Sequence, residues 1–263
     1  MILDRFSLRG KVAIVTGSGR GIGKGIALVF GEAGADLVCA ARTASEIEAT
    51  AAELRSMGGR ALAVGCDVRD ADQVDTMVRR TLEEFGRVDV LVNNSGGGLF
   101  RQGMTMSQRA LESDLRTNLV SLFLCTKAVG NAMLEQKSGS IVNISSRESQ
   151  MPALGMAGYG AAKAGVNSLT RTLAWELGPH VRINAILPGP VLTPTNMEQL
   201  GPVHDRIVEA IPLKRTGTPE DIALAALYLA SPASSWVTGK LFEIDGGIEF
   251  SYLAHGEMAR GVS

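Results

Sequence analysis

The chain has 263 residues and 45% hydrophobic residues, enough for a large core, and this composition excludes a disordered chain. Its 26 Lys and Arg against 27 Asp and Glu leave no basic excess, which argues against a nucleic-acid partner. Three scattered cysteines disfavour a disulfide framework and favour a reducing compartment. No apolar run is long enough to span a bilayer, and the N-terminus lacks a signal-peptide pattern. We therefore predict a cytoplasmic protein without membrane insertion.

Short apolar segments alternate with amphipathic ones along the chain. The predicted strands are 11–17, 35–41, 60–66, 88–94, 139–146, 181–189 and 240–247. The predicted helices are 21–34, 43–58, 70–86, 107–136, 158–178 and 218–231. Most strand segments are continuously apolar, which is typical of strands covered on both faces of a parallel sheet. The pattern predicts one α/β domain over 1–263, with a seven-stranded, doubly wound parallel sheet and helices on both faces.

Two segments do not follow this alternation. Segment 190–217 contains four prolines between a strand and a helix, and segment 251–263 extends beyond the last strand. Long irregular insertions in compact domains commonly serve as lids or binding loops. We therefore predict that 190–217 is a substrate loop, and that the tail 251–263 reaches a neighbouring subunit's pocket.

A glycine-rich segment, Thr16-Gly-Ser-Gly-Arg-Gly-Ile-Gly23, joins the first predicted strand to the first helix. Residues without a Cβ let a backbone approach a pyrophosphate held at a helix N-terminus. The same glycines could form only a tight turn, but their place between a strand and a helix favours dinucleotide binding in a Rossmann-like fold.

The end of the second predicted strand indicates which dinucleotide binds. Sites for NAD usually present an acidic residue there, whereas this chain reads Ala40-Ala-Arg-Thr43. Arg42 could pair with a 2′-phosphate, with Arg20 as a second cation, or both could be solvated surface residues. We predict NADP(H) in preference to NAD(H).

Tyr159 and Lys163 are four residues apart at the start of a predicted helix, so their side chains share one face. A lysine ammonium beside a tyrosine favours the phenolate and would lower the tyrosine pKa. Such pairs also occur by chance on surfaces. Ser146 ends a predicted strand 13 residues upstream, and Asn118 lies in an apolar segment where an amide needs a partner.

These motifs fall in one order along the chain, together with Cys66-Asp67-Val68, Asn93-Asn-Ser-Gly96 and Pro188-Gly189. The ordered set resembles the short-chain dehydrogenase/reductase family over about residues 8–247. Within that family the chain looks most similar to bacterial hydroxysteroid dehydrogenases and 3-oxoacyl-thioester reductases. One departure is Ser95, where the family usually has alanine.

The resemblance implies a role for each position. Tyr159 would be the general acid/base, and Lys163 would lower its pKa and hold the nicotinamide ribose. Ser146 would polarise the carbonyl, in preference to Ser145, and Asn118 would anchor a proton-relaying water. The implied cofactor contacts are Gly17, Ser18, Arg20, Gly21, Ile22, Gly23, Arg42, Asp67, Val68, Asn94, Gly96, Tyr159, Lys163, Pro188, Gly189, Val191 and Thr193.

Apolar residues in 96–104, 147–157 and 190–210 predict a hydrophobic pocket, so we expect a small hydrophobic ketone or secondary alcohol as substrate. The candidate substrate contacts are Arg147, Met151, Leu154 and Met197. Arg147 and Glu148 could contact a polar substituent or pair with each other. An NAD-dependent dehydrogenase of a sugar or another small alcohol remains an alternative, as does a non-catalytic dinucleotide-binding scaffold. The resemblance also implies a homotetramer formed through helices 107–136 and 158–178. The dispersed histidines predict no metal site.

Overall fold

The computed structural model of the chain describes residues 1–193, 196–197 and 201–249. Its seven strands all lie in one sheet. They are β1 (Val12–Thr16), β2 (Asp36–Ala41), β3 (Ala61–Gly65), β4 (Val90–Asn93), β5 (Gly139–Ile144), β6 (Val181–Pro188) and β7 (Leu241–Ile244). The predicted seven-stranded sheet is confirmed.

The sheet is parallel throughout, with the strand order β3-β2-β1-β4-β5-β6-β7. After β3 the chain crosses back to the other side of β1, so the order reverses between β1 and β4. In doubly wound sheets, ligands bind outside the carboxyl ends of the strands at this reversal. The topology therefore places a binding cleft next to the ends of β1 and β4.

Helices cover both faces of the sheet. They are α1 (Gly21–Glu32), α2 (Ala44–Ser56), α3 (Ala71–Phe85), α4 (Gln108–Leu115), α5 (Ser121–Gln136), α6 (Ala157–Leu177), α7 (His204–Ala210) and α8 (Pro219–Ala230). Successive strand residues point to opposite faces, so Val15 packs in one core cluster and Ile14 in the other. The first cluster contains Phe30 of α1, and the second contains Met77 of α3.

The single helix predicted over 107–136 is wrong in one respect, because a π turn at Arg116–Val120 separates α4 from α5. A π turn widens the helix locally, and single π turns occur frequently at functional sites. This one contains Asn118, whose side chain is buried.

The predicted substrate loop 190–217 contains α7, which packs through Ile207 against Ile248 and Met151. The predicted tail 251–263 lies outside the described residues. Within the described part of the chain, none of the helices combines the length and apolar character needed to cross a membrane.

Candidate active site

The predicted site residues gather at one edge of the sheet, although they are spread over more than 170 positions of sequence. Each group directly follows, or ends, a parallel strand, and the carboxyl ends of parallel strands share one edge. The glycine loop follows β1, Arg42 follows β2, Asp67 and Val68 follow β3, Asn94 and Gly96 follow β4, Ser146 follows β5, and Pro188 ends β6 ahead of Gly189, Val191 and Thr193.

The glycine loop is held against the end of β4. The Thr16 hydroxyl accepts hydrogen bonds from the backbone N–H groups of Asn94 (3.0 Å) and Ser95 (3.1 Å). The Asn94 amide donates to the carbonyls of Thr16 (2.9 Å) and Gly17 (3.3 Å). The side chain of Asn94 therefore holds the glycine loop in place. Ser95 contributes its backbone N–H to the same network, and its side chain does not disturb the turn.

The geometry of this loop fits a dinucleotide phosphate. The N-terminus of α1 has no side-chain cap, and its first turn carries no acidic residue, so its backbone N–H groups and its positive dipole end are available to an anion. Gly21 has φ +55°, and a methyl group there would lie 3.5 Å from Cγ2 of Thr193. The glycine loop and Thr193 therefore lie on opposite sides of a narrow cleft.

At the end of β2 the two candidate cations differ in their surroundings. Arg20 forms an ion pair with Glu46 at 3.5 Å. Arg42 is exposed and has no ion pair within 4.0 Å in the described part of the chain. Asp67 pairs with Arg69 at 2.6 Å, and the hydrogen bonds from Arg69 lower the pKa of Asp67 to about 2. Arg42 is therefore the cation that is free to meet a phosphate.

The two serines at the end of β5 face different neighbours. The Ser145 hydroxyl donates to Oδ1 of Asn167 (2.7 Å) within the core. The Ser146 hydroxyl donates to the carboxylate of Glu148, and Ser146 lies close enough to Tyr159 to lower the pKa of the phenol. The structure therefore brings Ser146, and not Ser145, to Tyr159.

Tyr159 and Lys163 are neighbours on the first turns of α6. The Lys163 ammonium lies 5.6 Å from the centroid of the Tyr159 ring and donates a 2.7 Å hydrogen bond to the carbonyl of Ile144. Lys163 is 4% exposed, and this burial lowers its pKa to about 8. The negative charge of Glu148 acts in the opposite direction on Lys163.

The prediction of a lowered Tyr159 pKa is wrong. Burial raises the pKa of Tyr159, the charge of Glu148 raises it further, and the nearby hydroxyl of Ser146 opposes both. The Lys163 ammonium, 5.6 Å from the ring centroid, does not offset these effects of burial and of Glu148.

Asn118 fixes the loop that follows β4. Its Oδ1 accepts from the N–H of Gly97 (2.9 Å), and its Nδ2 donates to the carbonyls of Gly97 (2.9 Å) and Asp114 (3.0 Å). The amide donors are thus fully used by the protein backbone. A methyl group on Gly96 would lie 2.6 Å from this Oδ1 and 3.6 Å from Nζ of Lys163, so the loop, Asn118 and Lys163 are closely packed.

Sequence reasoning missed Gly98 as a contributor to this site. A methyl group on Gly98 would lie 3.0 Å from the Tyr159 ring, so the backbone of this glycine covers the phenol. The run of three glycines at 96–98 was the available signal. Sequence reasoning named Glu148 only as a contact for a polar substituent or as a partner of Arg147, whereas its charge acts on both Tyr159 and Lys163.

The candidate substrate contacts are dispersed. Arg147 is 6% exposed and forms ion pairs with Glu243 (2.6 Å) and Asp245 (2.8 Å), so the alternative pairing with Glu148 is wrong. Met151 and Leu154 line a groove of about 320 Å³ beside the start of α6, and Met197 is half exposed. Met104, another apolar residue of the expected wall, is 99% exposed and does not form part of a wall.

Burial of Lys163 predicts a pH dependence of stability. Its folded-state pKa of about 8 lies below its ordinary value of 10.5, so the unfolded chain binds more protons between these values. The free energy of unfolding should rise between pH 8 and 10, on the order of 2 kcal/mol from this group. Above pH 10, the raised pKa of Tyr159 should act in the opposite sense.

Urea unfolding of the wild type and of Lys163→Met from pH 7 to 10 checks this expectation. The variant should lose the rise between pH 8 and 10. Replacement of the exposed Lys127 in α5 by Met provides the matched control, and it should keep the wild-type slope. Equal slopes in all three proteins would contradict the assignment.

Comparison with known proteins agrees with this geometry. Residues 17–249 match a family model described as enoyl-(acyl carrier protein) reductase. A 3-oxoacyl-[acyl-carrier-protein] reductase of Synechocystis sp. is 42% identical over 245 residues, covering 92% of this chain and 98% of that protein. A 7alpha-hydroxysteroid dehydrogenase of Escherichia coli strain K12 is 36% identical over 249 residues, covering 93% and 96%.

Solved structures match equally well. A short-chain type dehydrogenase/reductase from Mycobacterium marinum superposes with a TM-score of 0.91 at 37% identity, covering 95% of this chain and 99% of that one. A 7 alpha-hydroxysteroid dehydrogenase complexed with NADH and 7-oxo glycochenodeoxycholic acid also gives a TM-score of 0.91, at 34% identity and with 94% and 98% covered. With its parallel sheet, glycine loop and Ser146–Tyr159–Lys163 cluster, the chain belongs to the short-chain dehydrogenase/reductase family of oxidoreductases.

Proposed function

We propose that the protein is an NADP(H)-dependent oxidoreductase that interconverts a ketone and a secondary alcohol on a small hydrophobic substrate. The observation that carries this proposal is the cluster of Ser146, Tyr159 and Lys163 on the same sheet edge as an uncapped, glycine-lined helix N-terminus. The dinucleotide would supply or accept the hydride at its nicotinamide ring when bound.

The residues of the chain would manage the proton and the carbonyl. Tyr159 stays protonated at neutral pH, because burial and Glu148 both raise its pKa, so it can donate a proton to a developing alkoxide. Ser146 can donate a hydrogen bond to the same oxygen. Lys163, charged below its pKa of about 8, would favour the phenolate that the proton transfer leaves behind.

The substrate class is inferred from relatives and from the loops around the site. The relatives are named for 3-oxoacyl and hydroxysteroid chemistry, and both names denote carbonyl or alcohol groups on largely apolar skeletons. In this chain, Met151, Leu192 and Val203 pack around Ile207, Ile211 and Ile248, giving an apolar layer between the end of β7 and α7. The presence of this apolar layer favours a hydrophobic substrate.

Arg42 supports NADP(H) over NAD(H). Fluorescence titration of the wild type should show tighter binding of NADPH than of NADH, because Arg42, which has no ion pair within 4.0 Å among the described residues, can pair with the 2′-phosphate. Arg42→Ala should remove most of this difference, about 10-fold or more for a charge-assisted pair. NADH affinity should stay unchanged.

Arg20→Ala is the matched control, since the guanidinium of Arg20 is already paired with Glu46. Its effect on the preference should be smaller than that of Arg42→Ala. A wild type that binds NADH at least as tightly as NADPH would contradict the cofactor assignment and favour an NAD-dependent dehydrogenase of a small alcohol. A protein that binds neither dinucleotide would favour the scaffold alternative.

A cytoplasmic homotetramer is part of the proposal. The helices expected at the interface carry exposed apolar side chains, which include Val120 and Phe123 near the start of α5 and Trp175 near the end of α6. Apolar patches of this kind mark interaction surfaces. Light scattering should give a mass four times the 27.7 kDa of one chain, and a monomer at micromolar concentration would contradict it.

A further inference from the structure

The carboxylate of Glu148 occupies a position inside the proposed catalytic cluster. It accepts a hydrogen bond from the hydroxyl of Ser146, and its backbone N–H lies 3.4 Å from the same oxygen. Its charge also acts on Tyr159 and on Lys163. Glu148 therefore touches the serine and influences the other two members of the cluster.

The charge of Glu148 is not neutralised by its neighbour. Arg147 points in the other direction, toward Glu243 and Asp245 at the end of β7, and also donates to the carbonyl of Ile248 (3.2 Å). In the described part of the chain, no cation lies within 4.0 Å of the Glu148 carboxylate. Glu148 is only partly buried and lines the groove beside the start of α6 together with Met151 and Leu154.

Glu148 and a substrate carbonyl would compete for the single hydroxyl hydrogen of Ser146. A serine hydroxyl carries a single donor, and Ser146 gives it to Glu148. To polarise a substrate carbonyl, Ser146 must turn that donor toward the carbonyl oxygen, which leaves the carboxylate of Glu148 without its partner. In a partly buried site, water replaces such a donor only in part, so the loss still carries an energetic cost.

A substrate can remove this cost if it brings a donor of its own. We propose that Glu148 is a specificity-determining residue that selects substrates with a hydroxyl group on the carbon next to the reacting carbonyl or alcohol carbon. This hydroxyl takes the place of Ser146 at the carboxylate and releases the serine for the carbonyl. The inference rests on the proposed function, because it assigns the substrate class of the same site.

The same charge disfavours a second class of substrates. A carboxylate bonded directly to the carbonyl carbon would bring two like charges together and could not replace the serine as a donor. The order of preference is therefore α-hydroxy ketone, plain ketone and α-keto acid. This order is opposite to the one expected from a site with an arginine free to bind a carboxylate.

Three ketones with the same phenyl group test the inference: 2-hydroxyacetophenone, acetophenone and phenylglyoxylate. With NADPH, the wild type should show a kcat/KM for 2-hydroxyacetophenone at least about 10-fold above that for acetophenone, as expected for a hydrogen bond to a charged group. Phenylglyoxylate should be the poorest. In Glu148→Ala, kcat/KM should fall for 2-hydroxyacetophenone and rise for acetophenone, because Ser146 is released.

Opposite changes of kcat/KM for 2-hydroxyacetophenone and acetophenone in Glu148→Ala distinguish a role in specificity from a structural role. A structural role would lower kcat/KM for all three ketones together. Glu148→Gln should raise kcat/KM for phenylglyoxylate by removing the charge. Glu135→Gln, at an exposed carboxylate near the end of α5, is the control and should keep the wild-type order. Equal kcat/KM for 2-hydroxyacetophenone and acetophenone, or a preference that survives in Glu148→Ala, would overturn the inference.

A second readout separates this inference from the proposed function. If the wild type reduces none of the three ketones, the proposed function fails, and ligand-induced shifts of Tm decide the role of Glu148. 2-Hydroxyacetophenone should then raise the Tm of the wild type more than acetophenone does, and this difference should vanish in Glu148→Ala. Equal shifts in the wild type would overturn the inference.

Discussion

Replacement of Tyr159 by Phe should lower kcat by about 10²–10⁴-fold, the usual contribution of a positioned general acid or base. The raised pKa of Tyr159 keeps the proton on its phenol oxygen at neutral pH, and this phenol lies beside Ser146. The ring remains in the variant and still packs beneath the backbone of Gly98. Dinucleotide affinity should therefore stay close to that of the wild type. Steady-state kinetics and a fluorescence titration measure the two quantities.

Tyr228→Phe is the matched control. Tyr228 packs against the rings of Phe6 and Phe242, away from the Ser146 cluster, with ring centroids 6.3 Å apart in both pairs. Its kcat should equal that of the wild type. If Tyr159→Phe retains more than a tenth of the activity, Tyr159 is not the proton donor and the proposed mechanism is wrong.

Gly23→Ala should abolish dinucleotide binding and destabilise the fold. A methyl group at this position would lie 2.2 Å from the carbonyl oxygen of Gly17 and 2.4 Å from the amide nitrogen of Asn94. Neither atom can withdraw easily, because both belong to the network that fixes the loop. Overpacking of this kind costs about 1–3 kcal/mol. That exceeds the roughly 0.5–1 kcal/mol that alanine gains over glycine in a helix.

The expected result is a lower free energy of unfolding and the loss of the fluorescence change on adding NADPH. Gly65→Ala serves as control, since a methyl group on Gly65, at the end of β3, meets no atom within 4 Å. That variant should bind the dinucleotide as the wild type does. Unchanged Tm and affinity in Gly23→Ala would show that the loop is more adaptable than its contacts indicate.

The positions of the site residues along the sheet edge could be predicted because they depend on local patterns. Continuous apolar runs mark buried parallel strands, and the residues at their carboxyl ends must meet at one edge. Ser146 and Tyr159 could therefore be placed at the same sheet edge, and the family resemblance paired them. Side-chain alternation is strict along a strand, which also separates Ser145 from Ser146.

The features that could not be predicted depend on contacts between distant segments. Arg147 pairs with Glu243 and Asp245, which adjoin it only because β7 lies beside β6 and β6 beside β5. The direction of the Tyr159 pKa depends on how much water reaches the phenol, and residue spacing does not contain that information. The contact of Glu148 with Ser146 and its effect on Tyr159 could be identified only from the positions of these residues in the fold.

The π turn at Arg116–Val120 has a consequence for how α5 can vary. Each residue of an α-helix advances the side-chain direction by about 100°. The wider turn is what allows the amide of Asn118 to reach Gly97 while Cys125 and Met133 farther along still face the sheet. Deleting one residue here would convert the π turn into a regular helical turn, and the later side chains of α5 would keep their direction, because a π turn holds one residue more than a regular turn. Deleting one residue elsewhere in α5 would instead turn every later side chain by about 100°. Within this helix, the π turn is therefore the place where a residue can be removed while Cys125 and Met133 still face the sheet.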